Sequence, residues 1–488
     1  MEFLDRDLNR RVFIQGVGFV TAGLLMGTLG GCEDLAEAIR NRPVRRRLRT
    51  GSAAVDADIA TYRHAVELMK ALPASDPRSW TAQAIIHGTS AGFNFCEHGT
   101  NHFFDWHRGY LFYFEKICQK LTGNAKFGLP YWNWNQNPDI HPSFLDTTSA
   151  LFLARTRTSM SGNTSVSSGT LNTILSDTNF FTFGQQIEGT PHNSVHGFIG
   201  GTMGSASSAR DPLFWTHHNM VDYCWAKWNI ELGNDNTNDP GWISHDNTHF
   251  VDADGNPASV TAAITTIMPL LSYQYESSAI GSSPVQLAIL RKREFQLLER
   301  RIRAGANVRF DVKQRVRIAE KAVVSIATPI SRETQLSASD FTSIVNGDAA
   351  TQRVFASVGF AQLPATSDFA VRVFINLPSA NRATPMDDPH YAGSFAFFGT
   401  SLPAGTAGEV RDTAAVAAPA HVNQPRFLVN MTETLRRLTQ RGDLAFGAPI
   451  SLQMVAVPFG DKFEREDTQL LLEQLDIIVT PVIVNKSR

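Results

Sequence analysis

The stretch from residue 96 to residue 115 constrains this chain more than any other part of its sequence. It contains two histidines at fixed spacing, with a thiol two residues before the first: Cys96, Glu97 and His98, then Phe103 to Arg108, with His107 inside that run. A stripe of residues at helical spacing begins at the second histidine: His107, Leu111, Phe114, Cys118 and Leu121. Because Gly123 follows as a helix stop, the stretch predicts a core helix with His107 on its buried face.

Three more predicted helices present histidines to the same interior. Ser79 can cap a segment in which Trp80, Ala84 and His87 share a face before Gly88. Pro191 can open a helix that carries His192 and His196 on one face. Asp211 and Pro212 can open another, with an inward stripe of Phe214, His218, Val221 and Trp225. Together these predict a mainly α-helical domain built on a four-helix bundle.

The distribution of two residue types marks the limits of that domain. All eight tryptophans fall between Trp80 and Trp242, and twelve of the fourteen histidines fall between His64 and His249. We therefore assign residues 56–280 to one catalytic domain. A formal net charge of −2 argues against a nucleic-acid-binding protein, which would need an excess of lysine and arginine.

A cluster of imidazoles without carboxylates points to particular metals. Imidazole suits copper and zinc, whereas dinuclear iron bundles rely on glutamates with Glu-x-x-His pairs, which do not occur at these positions. Six neutral imidazoles, divided three and three, would hold two metal ions that each keep an open position. Copper fits this donor set best.

Two motifs carry a resemblance to a known family. The first is His98, four residues, then Phe103-Phe104-Asp105-Trp106-His107-Arg108, with Leu111 and Glu115; the second is Asp211-Pro212-Leu213-Phe214-Trp215, two residues, His218, three residues, Asp222. The chain resembles the tyrosinases and polyphenol oxidases, which belong to the type 3 copper family. The resemblance implies that His87, His98 and His107 bind one copper ion and that His192, His196 and His218 bind the other.

The same resemblance implies an activity. Two copper ions that bind molecular oxygen would hydroxylate small monophenols, oxidise o-diphenols to o-quinones, or do both, as a tyrosinase or catechol oxidase does. An o-aminophenol oxidase and a hemocyanin-like oxygen-binding protein without turnover are the alternatives. The short run between His196 and His218 is more similar to bacterial members than to plant members.

Residues beside the proposed ligands have roles that the family suggests. In relatives with a glutamate and an asparagine at the positions of Glu188 and Asn193, the pair holds a water that helps to deprotonate monophenols. A helix-start carboxylate without a catalytic role is the alternative for Glu188. Gly197, directly after His196, predicts an open flank that admits larger phenols.

Cys96 and His98 form the Cys-x-His arrangement that becomes a thioether crosslink in fungal relatives. A plain buried thiol is the alternative. Cys118 and Cys224 are assigned to core packing.

Three residues near the motifs are predicted not to bind metal. His102 lies in the gap of the first motif, and His217 lies about 100° round the helix from His218. Asp222 is predicted to orient a ligand from one helical turn away. Many relatives have an arginine after this aspartate, so the presence of Tyr223 puts the usual salt bridge in doubt.

The C-terminal part of the chain changes to strand periodicity. Phe369, Val371, Val373, Ile375 and Leu377 alternate with Ala370, Arg372, Phe374 and Asn376, as in a half-buried strand. With further strands expected near Phe395, Phe427, Val455 and Val479, we predict a β-sandwich over residues 306–488, after a charged connecting helix at 281–305. The fold class is thus α + β multidomain.

The region from Val373 to Phe398 resembles the C-terminal domain of plant polyphenol oxidases. In those proteins the domain covers the copper site and inserts a side chain into its mouth, which keeps the enzyme latent. The sequence does not identify which residue would do so here.

The N-terminus is predicted to direct export. Asn9-Arg10-Arg11-Val12-Phe13-Ile14 precedes an uncharged run over residues 16–31, which is typical of a twin-arginine signal over residues 1–31. Leu29-Gly30-Gly31-Cys32 resembles a lipoprotein box and predicts a lipid anchor at Cys32, with a signal that is not lipidated as the alternative. The protein is therefore expected in the periplasm or as a membrane-anchored lipoprotein. Residues 32–55 are predicted to be a basic linker.

Overall fold

The computed structural model describes residues 42–237, 239–276, 314–334, 352–399, 424–445 and 448–481. The predicted export signal, Cys32 and the connecting helix at 281–305 lie outside the described residues and stay predictions. Two hydrophobic cores separate a helical domain (described residues 42–276) from a cover domain (described residues 314–481). Among the described residues of the cover domain, Phe398 is the one fully buried residue that joins the helical core.

The helical domain contains nine α-helices and three short strand pairings in its described part. The helices are α1 Ala53–Ala71, α2 Trp80–His87, α3 Phe103–Thr122, α4 Ser168–Leu175, α5 Phe180–Ile187, α6 Asn193–Ile199, α7 Pro212–Ala226, α8 Pro240–Ile243 and α9 Ala262–Thr265. The strands are β1 Val44–Arg45, β2 Gly88–Thr89, β3 Gly92–Phe93, β4 Asp246–Val251, β5 Pro257–Thr261 and β6 Gln274–Tyr275. No helix in the described part of the chain is both long enough and apolar enough to span a bilayer.

The local signals predicted for three of the core helices are confirmed. The Ser79 side chain accepts a hydrogen bond from the Ala82 amide at the start of α2. Asp211 accepts one from the Leu213 amide at the start of α7, and Gly123 ends α3 with a φ of 68°. Helices α3 and α7 then pack through stacked rings, with the centroids of Phe114 and Trp215 3.5 Å apart.

The helix that carries His192 and His196 begins earlier than predicted. Helix α5 starts at Phe180 and continues through a π-helical segment, Glu188–His192, into α6, so that Pro191 lies inside the helix. Proline has no N–H to donate to an α-helical bond, and the wider π turn accommodates its ring. We refer to Glu188–His192 as the π segment.

The basic run after residue 42 is part of the fold, so the prediction of an unstructured linker there is wrong. Strand β1 pairs in parallel with β6, which joins the beginning of the helical domain to its end. Arg45 is fully buried and lies 3.5 Å from the centre of the Tyr273 ring. A run of positive charges usually indicates a solvated segment; here distant carboxylates neutralise Arg45 inside the core.

Asp222 stands at the centre of this buried network and does not orient a histidine, contrary to prediction. It accepts hydrogen bonds from Arg108, Arg45 and the Tyr275 hydroxyl, while Glu115 accepts one from Arg45 Nε at 2.9 Å. Burial raises the pKa of Asp222, but the charges of Arg108 and Arg45 outweigh burial and hold it below its usual value. Arg45 thus supplies the positive charge that the family pattern places at the position of Tyr223.

The cover domain is a sandwich of two four-stranded antiparallel sheets, as predicted. One sheet has the strand order β12-β9-β14-β7 and the other has the order β11-β10-β13-β8. Their bounds are β7 Gln314–Ser325, β8 Ile330–Thr334, β9 Gln352–Phe360, β10 Phe369–Ile375, β11 Tyr391–Ala396, β12 Arg426–Asn430, β13 Ile450–Pro458 and β14 Gln469–Pro481. Val373 of β10 pairs with Met454 of β13, which sets the register at the centre of the second sheet.

Strand β10 is buried on both faces, which differs from the half-buried strand predicted. Val371 and Val373 face the sandwich core, while Phe374 packs with Ala380 and Val455 in a small second cluster. The sequence analysis also missed a helix, α10 Thr432–Arg441, which follows β12.

Candidate metal centre

His87 is the last residue of α2, and its position depends on the glycine that follows it. A side chain at Gly88 would place Cβ 2.6 Å from the Ala206 carbonyl oxygen, so only glycine permits this approach. The same carbonyl accepts a hydrogen bond from His87 Nδ1 at 2.9 Å. This bond holds the His87 ring in a position where its Nε2 lies 3.2 Å from Nε2 of His98.

His98 and His107 reach the same interior from a loop and from a helix. His98 lies in the loop between β3 and α3, and its Nδ1 is 3.3 Å from Glu188 Oε1. His107 lies one turn into α3 and donates from Nδ1 to the Phe103 carbonyl at 2.7 Å.

The second set of ligands is placed by α6 and α7. His192 donates from Nδ1 to Asn193 Oδ1 at 2.8 Å, and His196 donates from Nδ1 to the Met203 carbonyl at 2.8 Å. Nε2 of His218 lies 3.3 Å from Nε2 of His192 and 3.2 Å from Nε2 of His196. The structure therefore brings together all six predicted ligands.

The protonation of these rings shows that the site fits metal ions. Because five of the six rings use Nδ1 to donate to an oxygen, their Nε2 atoms carry lone pairs. Nε2 of His87 and Nε2 of His98 are both unprotonated and only 3.2 Å apart, so they cannot hydrogen-bond to each other, and Nε2 of His107 has no partner in the described structure. Cations between the rings would satisfy this arrangement, and oxygen atoms bonded to Nδ1 are the usual supports of metal-binding imidazoles. His218 is the exception, because its Nδ1 has no partner among the described residues.

Burial also favours the protonation state that binds metal. Desolvation lowers the pKa of His87 to about 4 and that of His192 to about 3. Neutral imidazole is the form that coordinates a metal ion, so at neutral pH these side chains are ready to bind without first losing a proton.

The other two histidines considered in the sequence analysis occupy different places. His102 stacks between His245 and Trp242, and its Nδ1 contacts Asp105, which is consistent with a residue that does not bind metal. His217 lies nearer to the centre than predicted, with its ring centroid 4.7 Å from that of His196. Its Nδ1 accepts a hydrogen bond from Trp134 Nε1, so this nitrogen is already used.

Glu188 and Asn193 each contact a different ligand. Glu188 accepts a 2.7 Å hydrogen bond from the Gly99 amide beside its contact with His98, and burial raises its pKa to about 8. Asn193 Oδ1 accepts from His192, so its amide nitrogen is turned towards the cover domain. The two residues thus contact one ligand from each set of three, and their role in holding a water stays a prediction.

Cys96 is close to two ligands. Its thiol donates to the His87 carbonyl at 3.2 Å, and Sγ lies within 4.8 Å of a ring nitrogen of both His87 and His98. Cys118 and Cys224 are buried in the helical core, as predicted.

Phe398 of the cover domain occupies the centre of the site. Its ring stacks on His196 with centroids 3.8 Å apart, and the centroids of His98 and His192 lie 5.3 Å and 5.4 Å from it. The side chain is only 4% exposed. The resemblance to plant relatives left open whether a residue of this domain enters the site and which one it is; the aromatic run Phe395–Phe398 at the end of a strand was the signal in the sequence.

Gly197 does not form an open flank in the covered protein, contrary to prediction. A Cβ there would lie 2.7 Å from the Ser367 carbonyl oxygen and 2.9 Å from the Phe459 ring. The missing side chain lets the cover domain approach α6 closely.

A helical domain with six converging histidines under a β-sandwich cover defines a class of dinuclear metal protein. A family model described as the common central domain of tyrosinase matches residues 77–168 and 145–231. The match assigns residues 77–231 of the helical domain to the tyrosinase family, and these residues include all six converging histidines.

Two relatives illustrate the extent of the similarity. Tyrosinase HcTyr1 of Hahella sp. (strain CCB-MM4) is 30% identical over 284 residues, which cover 45% of this chain and 61% of that protein. The chloroplastic polyphenol oxidase of Malus domestica is 32% identical over 259 residues, which cover 41% of this chain and 44% of that one. Each match spans less than two thirds of the relative's own length.

Solved structures share the fold over nearly the whole chain. A latent aurone synthase (polyphenol oxidase) superposes with a TM-score of 0.62 at 20% identity, over 91% of this chain and 90% of that one. Latent apple tyrosinase gives a TM-score of 0.60 at 20% identity, over 90% and 97%. These matches show the same architecture of a helical domain and a sandwich.

Proposed function

We propose that this protein is a copper-dependent phenol oxidase that its own cover domain holds latent. The observation that carries the proposal is the convergence of six buried imidazoles, five of them held through Nδ1 with Nε2 unprotonated, around a space filled by an aromatic ring. A phenol ring has the size and flatness of the Phe398 ring, so the space that holds Phe398 suits a phenolic substrate.

The protein residues around the centre would orient the substrate and exclude water. Bound at the six histidines, two copper ions would supply the electron transfer between substrate and molecular oxygen. Phe93 and Phe103 line the centre, with ring centroids 4.6 Å from His98 and 4.8 Å from His192 respectively. An apolar lining of this kind keeps the reacting atoms dry and strengthens the polar contacts that remain.

Glu188 is proposed to accept the phenol proton through a bridging water, with Asn193 as the second holder of that water. Burial raises the pKa of Glu188 to about 8, so its ionised form is a stronger base than an ordinary carboxylate and predominates above that pH. We expect Glu188→Gln, which keeps the shape and the Gly99 contact, to lower kcat/KM for a monophenol by about tenfold or more. For an o-diphenol, whose oxidation does not require hydroxylation, kcat/KM should change little. Steady-state kinetics on both substrates tests this, and equal losses would remove the general-base role.

Cys96 is proposed to form a thioether with a ring carbon of His98. The bond replaces one S–H and one C–H, and molecular oxygen accepts the two hydrogen atoms. In the copper-loaded, aerated protein we expect peptide mass spectrometry to find the two residues linked. The mass of the peptide that contains them should be lower by two hydrogen atoms. Cys96→Ser should abolish the linked peptide, and Cys118→Ser should leave it unchanged. Recovery of a free Cys96 thiol after turnover would contradict the crosslink.

The function is tested by metal analysis and by quinone formation. Two sets of three histidines require about two copper ions per chain. The purified, copper-loaded chain is assayed with mono- and diphenols before and after proteolysis between the domains, in the segment after Glu276 and before Gln314. Quinone formed only after cleavage supports a latent oxidase. Reversible oxygenation without turnover would instead indicate a hemocyanin-like protein, and a preference for o-aminophenols would change the substrate but not the centre.

A further inference from the structure

We propose that the uncovered centre accepts a tyrosine side chain within an extended polypeptide, which it recognises through backbone carbonyls on the amino-terminal side of that tyrosine. The inference rests on the proposed phenol oxidase function and names a substrate class for it. It comes from the way in which the cover domain itself is seated on the site.

The segment that delivers Phe398 is an edge strand. Strand β11 pairs only with β10 in its sheet, so its other edge faces the helical domain. An unpaired strand edge presents backbone groups that need partners. Here the carbonyl of Ser394 accepts a 2.6 Å hydrogen bond from Thr190 Oγ1, and the carbonyl of Ala396 accepts a 2.7 Å hydrogen bond from Asn193 Nδ2.

The two donors belong to the helical domain and are placed by its own structure. Thr190 lies in the π segment, and Asn193 directly follows that segment. The Asn193 amide cannot turn round freely, because its oxygen accepts the Nδ1 proton of the ligand His192 at 2.8 Å. A contact within the helical domain therefore holds the Asn193 amide, and the backbone of the π segment places Thr190.

The spacing of these contacts is that of peptide recognition by strand addition. Carbonyls two residues apart lie on the same edge of an extended chain, and a side chain two residues further along enters a pocket. Ser394, Ala396 and Phe398 follow this spacing, and the Phe398 ring lies against His196. Tyrosine differs from phenylalanine only by the ring hydroxyl, so a tyrosine peptide can adopt the same placement and present a phenol.

The reaction on such a peptide balances with the oxidant of the proposed function. One atom of molecular oxygen enters the tyrosine ring beside the hydroxyl, and the other atom leaves as water. The ring loses two hydrogen atoms and becomes an o-quinone that stays attached to the peptide.

The test compares two substrates of the uncovered protein. The copper-loaded full chain is purified, cleaved between the domains and separated from the cover domain. The helical domain has its own core, to which the cover adds one fully buried side chain. The long peptide has the sequence of residues 394–399 with Phe398→Tyr, acetylated and amidated; the short one is acetyl-tyrosyl-glycine amide, which lacks both upstream carbonyls. Since each net hydrogen bond contributes about 0.5–1.5 kcal/mol, we expect kcat/KM to be roughly tenfold higher for the long peptide.

Thr190→Val isolates one of the two contacts because it keeps the shape and removes the hydroxyl. We expect kcat/KM for the long peptide to fall about two- to tenfold, with no change for the short peptide or a small catechol. Thr173→Val is the matched control, because it removes a hydroxyl that is bonded within its own helix. It should leave kcat/KM unchanged for both peptides and for the catechol.

A binding measurement separates this proposal from the proposed function. The unaltered peptide of residues 394–399, which cannot be oxidised at position 398, should bind the uncovered protein in calorimetry and bind Thr190→Val more weakly. Lack of catechol oxidation would overturn the oxidase function. The binding experiment would still show whether the uncovered protein binds the peptide through Thr190. Equal kcat/KM for the long and short peptides, or equal peptide affinity in wild type and Thr190→Val, would overturn the peptide proposal.

Discussion

Phe398→Ala in the full-length, copper-loaded chain should oxidise small catechols without any activating treatment. The ring fills the space above His196 and is almost completely buried, so its removal opens a cavity of the size of a phenol while β11 stays in place. Under the proposed latency, turnover in the wild-type chain requires the cover to open, so apparent activity is reduced to the fraction of molecules that are open. We expect the activity before cleavage to rise by about 10- to 100-fold over wild type.

Two comparisons make this result specific. Phe398→Leu retains an apolar plug and should stay close to the latent activity of wild type. After cleavage and removal of the cover, wild type and both variants should reach the same activity. If Phe398→Ala is as inactive as wild type before cleavage, the ring is not what blocks the centre, and the strand contacts to Thr190 and Asn193 would have to account for latency.

Arg45→Met should destabilise the helical domain strongly, although residue 45 lies far from the catalytic motifs in the sequence. The variant keeps an apolar side chain of similar length but leaves Asp222 paired with Arg108 alone and removes the ion pair of Glu115. Removing one member of a buried ion network costs about 3–5 kcal/mol, because the remaining charges stay buried without compensation. For a domain of this size we expect the melting temperature to fall by about 10 °C.

The measurement is thermal unfolding of the full chain at equal copper content. Arg78→Met is the matched control, because its ion pair with Asp76 lies on the surface with side chains 25% and 17% exposed. Loss of such a pair costs less than about 1 kcal/mol. If the two variants have equal melting temperatures, Arg45 is not part of a buried network that stabilises the domain.

The inward positions of His87, His107 and His218 could be predicted from the sequence because local signals determine them, whereas the family resemblance implied the full set of six ligands. A helix cap at Ser79, a proline at the start of α7 and helical spacing around His107 are short-range signals. The sandwich could also be predicted, since alternation along β10 and the turn residues between strands are visible in the chain itself.

Long-range contacts explain what the sequence analysis missed. Arg45 lies in a basic run, and its buried state depends on Glu115 and Asp222, which are remote in the sequence. Phe398 is one of several aromatic residues near the end of β11, and only the docking of the cover domain places its ring over His196. Pro191 predicted a helix start, but it lies inside a helix because the wider turn of the π segment tolerates proline.

The pairing of β1 with β6 also affects how the protein is made. Arg45 leaves the ribosome early, whereas its contact Tyr275 is 230 residues further along the chain. Until that residue has been synthesised, a nascent chain carries an arginine without its final environment, and the helical domain cannot complete its core. Synthesis of the whole domain must therefore precede its closure, and any cleavage of the predicted leader would have to occur upstream of Arg45 to leave the finished domain intact.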